Sequence, residues 1–366
     1  MPPGGLVTAE HQVVKPEKLI NTAIGMLEQE LLVPNLFTKE GVDRFKGAKN
    51  DTINVVVEGV LPFHDYEWRS GSAGSSTPGT RQRVVYDEYA ERTIPVTFGG
   101  NVYNGVKLTD EQNDFDITQW SKLLRPQVKA VARGLARRAV KTLVDQPYAV
   151  TIGNTERSMR KAIIEARRVM NKFNVPEGSR YMVVGSDFET VLLSDPDLNL
   201  ASNVGDSQAE SALVNATLGN RYGFRFIVDQ TIPADSAYAF AQSGFIFASA
   251  APSVPQSVPF GATTSFEGLA LRWLRDYDSE FFQDRSIVNC YQGFRSVSDV
   301  LVGWDPVKEK EVISTQEHFV RGIRLTLDGK SNYPEAASEL AKITGVSDAK
   351  VWTPTGPAAE TDPANA

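Results

Sequence analysis

Four carboxylates, Asp276, Asp278, Glu280 and Asp284, fall within a short span of the chain, and carboxylates at alternating positions are donors that a hard divalent cation accepts. The span lacks the central glycine of a calcium loop, and Phe281 and Phe282 interrupt it. A solvated connector between strands is the expected role, with a metal-dependent α/β enzyme as its competitor. A second set is cationic. Lys129, Arg133, Arg137 and Lys141 recur every four residues and share one helix face. Three roles suit this row: a solvated face, salt bridges to a second subunit, or non-specific contact with nucleic-acid phosphates. Gly71, Gly74 and Gly79 lack the lysine and following helix of a phosphate cradle. His11, His64 and His318 lie in unrelated contexts without ligand spacing. The single cysteine, Cys290, sits in the apolar run 287–291, which suits a buried structural thiol, and one cysteine forms no intramolecular disulfide. GxxxxGKS/T, GxGxxG, HExxH and GxSxG are missing from the chain, so no catalytic set, cofactor or metal is expected.

The elements that position these residues begin with a helix from Pro16 to about Leu32, carrying Leu19, Ile20, Ala23, Ile24, Leu27 and Leu31 at helical spacing. Ile53–Leu61 reads as a strand and Arg83–Phe98 as a longer one, joined by the Ser/Gly-rich tip Arg69–Thr80. Such a ribbon is marginal alone and needs a surface to rest on, such as a neighbouring subunit. Pro126–Val144 carries the clearest amphipathic stripe, and residues from Asp116 extend it with a kink or fresh start at Pro126.

Beyond Asp145, helix and strand alternate as in an α/β domain. A helix capped by Thr155 stops at Val175 and Pro176, and Arg180–Val184 is a strand. Capping boxes stand at Ser186 with Glu189 and at Ser207 with Glu210. Strands follow at Gly223–Asp229 and Ala237–Ala241, then long ones at Thr264–Arg275 and Ser286–Val297. Phe319–Leu327 adds a strand and Pro334–Ile343 a short helix, with Gly345 past its end.

The chain has 366 residues and a formal net charge of −7. That acidity argues against a dedicated nucleic-acid binder. The segment MPPGGLVTAEHQ shows no basic flank followed by an apolar core, so a chain made in the cytosol is expected, with no membrane partner.

Several stretches, in order, carry a family resemblance: Tyr89–Thr97, Val106–Gln112, Leu218–Pro233, Gly268–Asp278 and Tyr291–Phe294. Together they resemble the major capsid (coat) proteins of tailed double-stranded-DNA bacteriophages, of Hong Kong 97 type, in the branch without a fused scaffolding domain. The resemblance spans about 15–302 and implies an α+β fold with a set map. Residues 1–50 would be an N-terminal arm, 51–112 an extended β-hairpin loop, and 113–145 the spine helix of a peripheral domain. Residues 146–262 would form an axial α/β domain, 263–305 the peripheral return strands, and 306–366 a C-terminal extension.

The function implied is self-assembly into the hexamers and pentamers of an icosahedral shell. Expected partners are further copies of the chain, a separate scaffolding protein, a portal, decoration proteins and non-specifically held double-stranded DNA, which a container must not grip tightly. The location would be the virion capsid, with the bacterial host cytoplasm during assembly. Trp68, Arg69, Arg81, Arg83, Glu88 and Arg92 are the expected intersubunit contacts. Some members seal the shell with an isopeptide bond from a lysine of the extended loop, but no lysine lies between Lys49 and Lys107. The alternative within the same fold is a cellular nanocompartment shell.

Overall fold

In a computed structural model, the structure describes residues 20–25, 27, 31–40, 52–57, 61–64, 84, 86, 87, 89, 91–112, 120–153, 159–195, 219–258, 260–266, 268–305 and 310–348. The elements are, in order, β1 (Thr38–Glu40), β2 (Thr52–Val57), β3 (Arg92–Thr97), β4 (Asn101–Thr109), α1 (Trp120–Val144), β5 (Thr151–Gly153) and α2 (Met159–Lys172). Next come β6 (Arg180–Val184), α3 (Ser186–Ser194), β7 (Asn220–Arg221), β8 (Phe224–Val228), β9 (Ser236–Ala241) and β10 (Phe245–Ala250). The chain continues through β11 (Phe260–Phe266), β12 (Leu269–Asp278), β13 (Gln283–Ser296), β14 (Val302–Asp305), β15 (Lys310–Ile313), β16 (Gly322–Thr326) and α4 (Glu339–Thr344). Two compact units emerge. Met1–Val55, Thr93–Gln146 and Phe245–Ser296 form the first; Val56–Arg92, Pro147–Gly244 and Val297–Ala366 form the second.

The first unit is organised by β13. It runs antiparallel to β4 and β12 through its first half and to β10 through its second. Alternate residues Asp284, Ser286, Val288, Cys290 and Gln292 are buried, the pattern of one pleated face turned inward. α1 covers that face. Its Gln127 Nε2 donates to the Ser286 carbonyl at 3.0 Å, and Ser286 Oγ donates to Gln127 Oε1 at 2.9 Å. Trp273 Nε1 donates to the same Oγ at 2.9 Å. Leu124, Val128, Val131, Leu135, Ala139 and Leu143 bury the apolar stripe of α1, each large side chain contributing about 1.5–3 kcal/mol. The helix has 25 residues with Pro126 inside it, roughly 38 Å of rod. It does not begin afresh at Pro126, because packing of Leu124 and Val128 on either side outweighs the lost backbone bond.

The second unit holds a six-stranded mixed sheet in the order β5-β16-β9-β6-β8-β7. α2 buries Met159, Ala162, Ile163, Ala166, Val169 and Met170 in a core shared with Met182, Val184, Ala237, Ala239, Ile323 and Leu325. β7 and β8 are joined through Tyr222 and Gly223, both at positive φ (51° and 83°), the backbone of a tight two-residue hairpin.

Several sequence expectations change. Thr264–Arg275 is not one strand: it divides between β11 and β12, which pair as a hairpin with Gly268 at φ 76° near the turn. Ser186 is not a capping residue. Gly185 is the N-cap and no side chain caps the helix, since the Ala234 carbonyl takes the N–H groups of Asp187 and Phe188 instead. β10 pairs with β13, so the change of unit falls after Gly244 and not after Ala262. Asn101–Thr109 likewise belongs to the sheet of β13, not to the ribbon. Nor is the stretch beyond Asp305 an appendage: β16 lies between β5 and β9, inside the second sheet. Of the described residues in the longer strand expected over Arg83–Phe98, only Arg92–Thr97 are strand. Leu31 and Leu32 lie past the helical residues 20–25 and 27. Thr155, Ser207, Glu210 and the tip Arg69–Thr80 lie outside the described residues.

Candidate functional site

The acidic set does not converge on one point. Asp276 and Asp278 stand on β12 and Asp284 on β13, where the cross-strand register sets Asp276 opposite Arg285, Asp278 opposite Gln283 and Asp284 opposite Tyr277. Arg285 reaches Asp276 at 2.6 Å and Asp278 at 3.5 Å, and Arg275 reaches Asp284 at 2.7 Å. Among the described residues no group of His, Cys, Asp or Glu is arranged to hold a metal ion. The three aspartates form a charged ladder on paired strands, a cross-strand arrangement that supports register. Glu280 lies in the expected connector, the exposed turn 279–282 between β12 and β13, its N–H donating to Asp278 Oδ1 at 3.2 Å.

The cationic row keeps to one side of α1. Arg133, Arg137 and Lys141 are exposed and Lys129 is half-buried. Lys141 pairs with Asp145 one turn on, at 2.9 Å. The exposed guanidinium of Arg138 and the Lys141 head line an open pocket of about 270 Å³ with Thr97, Gly99 and Gln292. Arg138 was no part of the expected row, being one residue off its spacing. Cys290 is fully buried, and burial pushes its thiol up to about 12. Burial also raises the Tyr148 hydroxyl well above its usual value, aided by the facing Tyr238.

The ribbon is rooted where β2 pairs with β3. Beyond that root the described residues turn apolar side chains to solvent: Leu61 and Phe63 on the outgoing leg, Val84, Tyr86 and Tyr89 on the returning one. Tyr86 is 89% exposed. Exposed apolar side chains grouped in this way mark a surface that something else covers. Of the expected contact residues, Trp68, Arg69, Arg81, Arg83 and Glu88 lie outside the described residues. Arg92 is described, and its guanidinium is held within the chain, 2.5 Å from Glu317 and 3.2 Å from the Ser298 carbonyl. Sequence reasoning missed the partners at this root, Trp304, Glu311 and Glu317. The one signal was Trp304, which closes the apolar run from Val300 just before the chain turns polar beyond Asp305.

A β13-centred sheet under one long helix in the first unit and a mixed α/β sheet in the second make an α+β fold of Hong Kong 97 type. Solved structures share the fold. That of Mycobacterium phage Che8 matches with a TM-score of 0.55 at 16% identity, covering 82% of this chain and 92% of its own. The capsid of cyanophage P-SCSP1u gives 0.53 at 10% identity, with coverage of 80% and 86%. The mature capsid of bacteriophage PhiM1 gives 0.51 at 10% identity, with coverage of 81% and 86%. No curated protein matches by sequence. The family model described as phage capsid protein matches residues 103–288, half of the chain. The chain belongs to that family and is a capsid shell protein.

Proposed function

We propose that this chain is the major capsid protein of a tailed bacteriophage, closing as hexamers and pentamers into an icosahedral shell around double-stranded DNA. The observation that carries this is the ribbon, whose apolar side chains Phe63, Val84, Tyr86 and Tyr89 stay exposed on the isolated chain. One subunit in rings of five and six makes heterologous contacts that must tolerate small changes of angle. A ribbon hinged at its root suits that demand, and many modest contacts make a cooperative shell.

On this reading residues 20–40 belong to an arm, α1 is the spine, the first unit is peripheral and the second axial. Trp68, Arg69, Arg81, Arg83 and Glu88 would meet the neighbouring copy. The row Lys129, Arg133, Arg137 and Lys141 would pair with a neighbour's acids or touch packaged phosphates. A separate scaffolding protein, a portal and decoration proteins would complete assembly in the bacterial cytoplasm before the chain resides in the virion. Electron microscopy of the purified chain, alone and with a candidate scaffold, tests it. Closed shells of one diameter are expected; a chain that stays monomeric under every condition overturns it.

A further inference from the structure

We propose that the β14–β15 hairpin and the turn carrying Glu317 form a bracket that fixes the direction of the two legs of the ribbon. Both legs of the ribbon are gripped at their base. On the outgoing leg the Phe63 ring stacks on Trp304, with centroids 6.0 Å apart and planes 10° from parallel. The Phe63 N–H donates to the Glu311 carboxylate at 3.0 Å. Trp304 and Glu311 face each other across the pair β14 and β15, so one hairpin supplies both contacts. On the returning leg Arg92 reaches Glu317 at 2.5 Å and the Ser298 carbonyl at 3.2 Å. His64 and Asp87, 2.8 Å apart, tie one leg to the other.

The contacts differ in kind, and that gives the bracket its function. A ring stack constrains the tilt of a leg, and a guanidinium held by a carboxylate and a carbonyl constrains its rotation. The hairpin is itself anchored: Gly303 approaches Ile343 of α4 so closely that a Cβ there would meet Ile343 Cγ2 at 2.7 Å. Phe63 and Trp304 remain half-exposed, so the grip can be altered without opening a core. Trp304, Glu311 and Glu317 are positioning residues: they act through the ribbon on the angle between subunits.

This inference rests on the capsid reading, and the experiment separates the two. The full-length chain and the variants Trp304→Ala, Trp304→Phe and Glu317→Gln are assembled side by side, and shell diameters are measured by electron microscopy. Thermal unfolding of the unassembled subunits checks that each variant folds. With wild-type shells uniform, Trp304→Ala and Glu317→Gln are expected to keep wild-type unfolding and to give a several-fold larger share of open or off-size shells. Trp304→Phe, which keeps a stacking ring, is expected to restore uniformity. Uniform shells from Trp304→Ala and Glu317→Gln would overturn the bracket while leaving the capsid reading intact. A wild-type chain that forms no shell, alone or with a candidate scaffold, would overturn the capsid reading itself. Glu317 is more than half exposed, so that variant tests the bracket even if Trp304→Ala fails to fold.

Discussion

Ser286 joins three elements through one hydroxyl, which accepts from Trp273 and donates to Gln127. Replacing it by alanine strands a buried indole N–H and a buried amide oxygen. Urea unfolding of Ser286→Ala is expected to show a loss of about 2 kcal/mol; an unchanged midpoint would contradict the network. Cys290 gives a second prediction. An unfolded thiol ionises near 9, whereas the buried one is pushed up to about 12, so folding disfavours the thiolate. This residue's share of stability is therefore intact below about pH 9 and falls as pH rises towards about 12. At pH 8 a thiol reagent should leave the native chain unlabelled and label it fully in denaturant. Rapid labelling of the native chain would mean that the β13 face is open.

At the level of elements, the sequence made periodic segments legible and long-range partners illegible. The stripe of α1, the buried face of α2 and the strand Arg180–Val184 stand where spacing places them, because each depends on its own residues. The hairpin of β11 and β12 was read as one strand because apolar residues continue on both sides of its turn. The start of α3 was misread because its cap comes from a distant backbone carbonyl, that of Ala234. The three aspartates of the acidic set looked like part of a connector for the same reason, since their arginine partners depend on strand register. The place of β16 shows this most clearly. It supplies Ile323 and Leu325 to the second core, and the segment beyond it adds Tyr333, Leu340 and Val346. A chain stopped after Asp305 is therefore expected to be insoluble and to form no shell, as a solubility assay and microscopy would show. A soluble, assembling truncation would contradict this account of the second sheet.

For the whole molecule, each unit buries an apolar core among its described residues, whereas the legs of the ribbon do not. Each unit has a covered sheet, but Phe63, Val84, Tyr86 and Tyr89 face solvent. A two-stranded ribbon has little stability of its own, so its order should come from association. Hydrogen–deuterium exchange on the unassembled subunit and on the closed shell tests this most directly. The account predicts that exchange at Leu61, Val84, Tyr86 and Tyr89 slows strongly from the free subunit to the shell, with α1 and α2 protected in both. Equal exchange at these four residues in the free subunit and the shell would show that no neighbour covers them, contrary to the account.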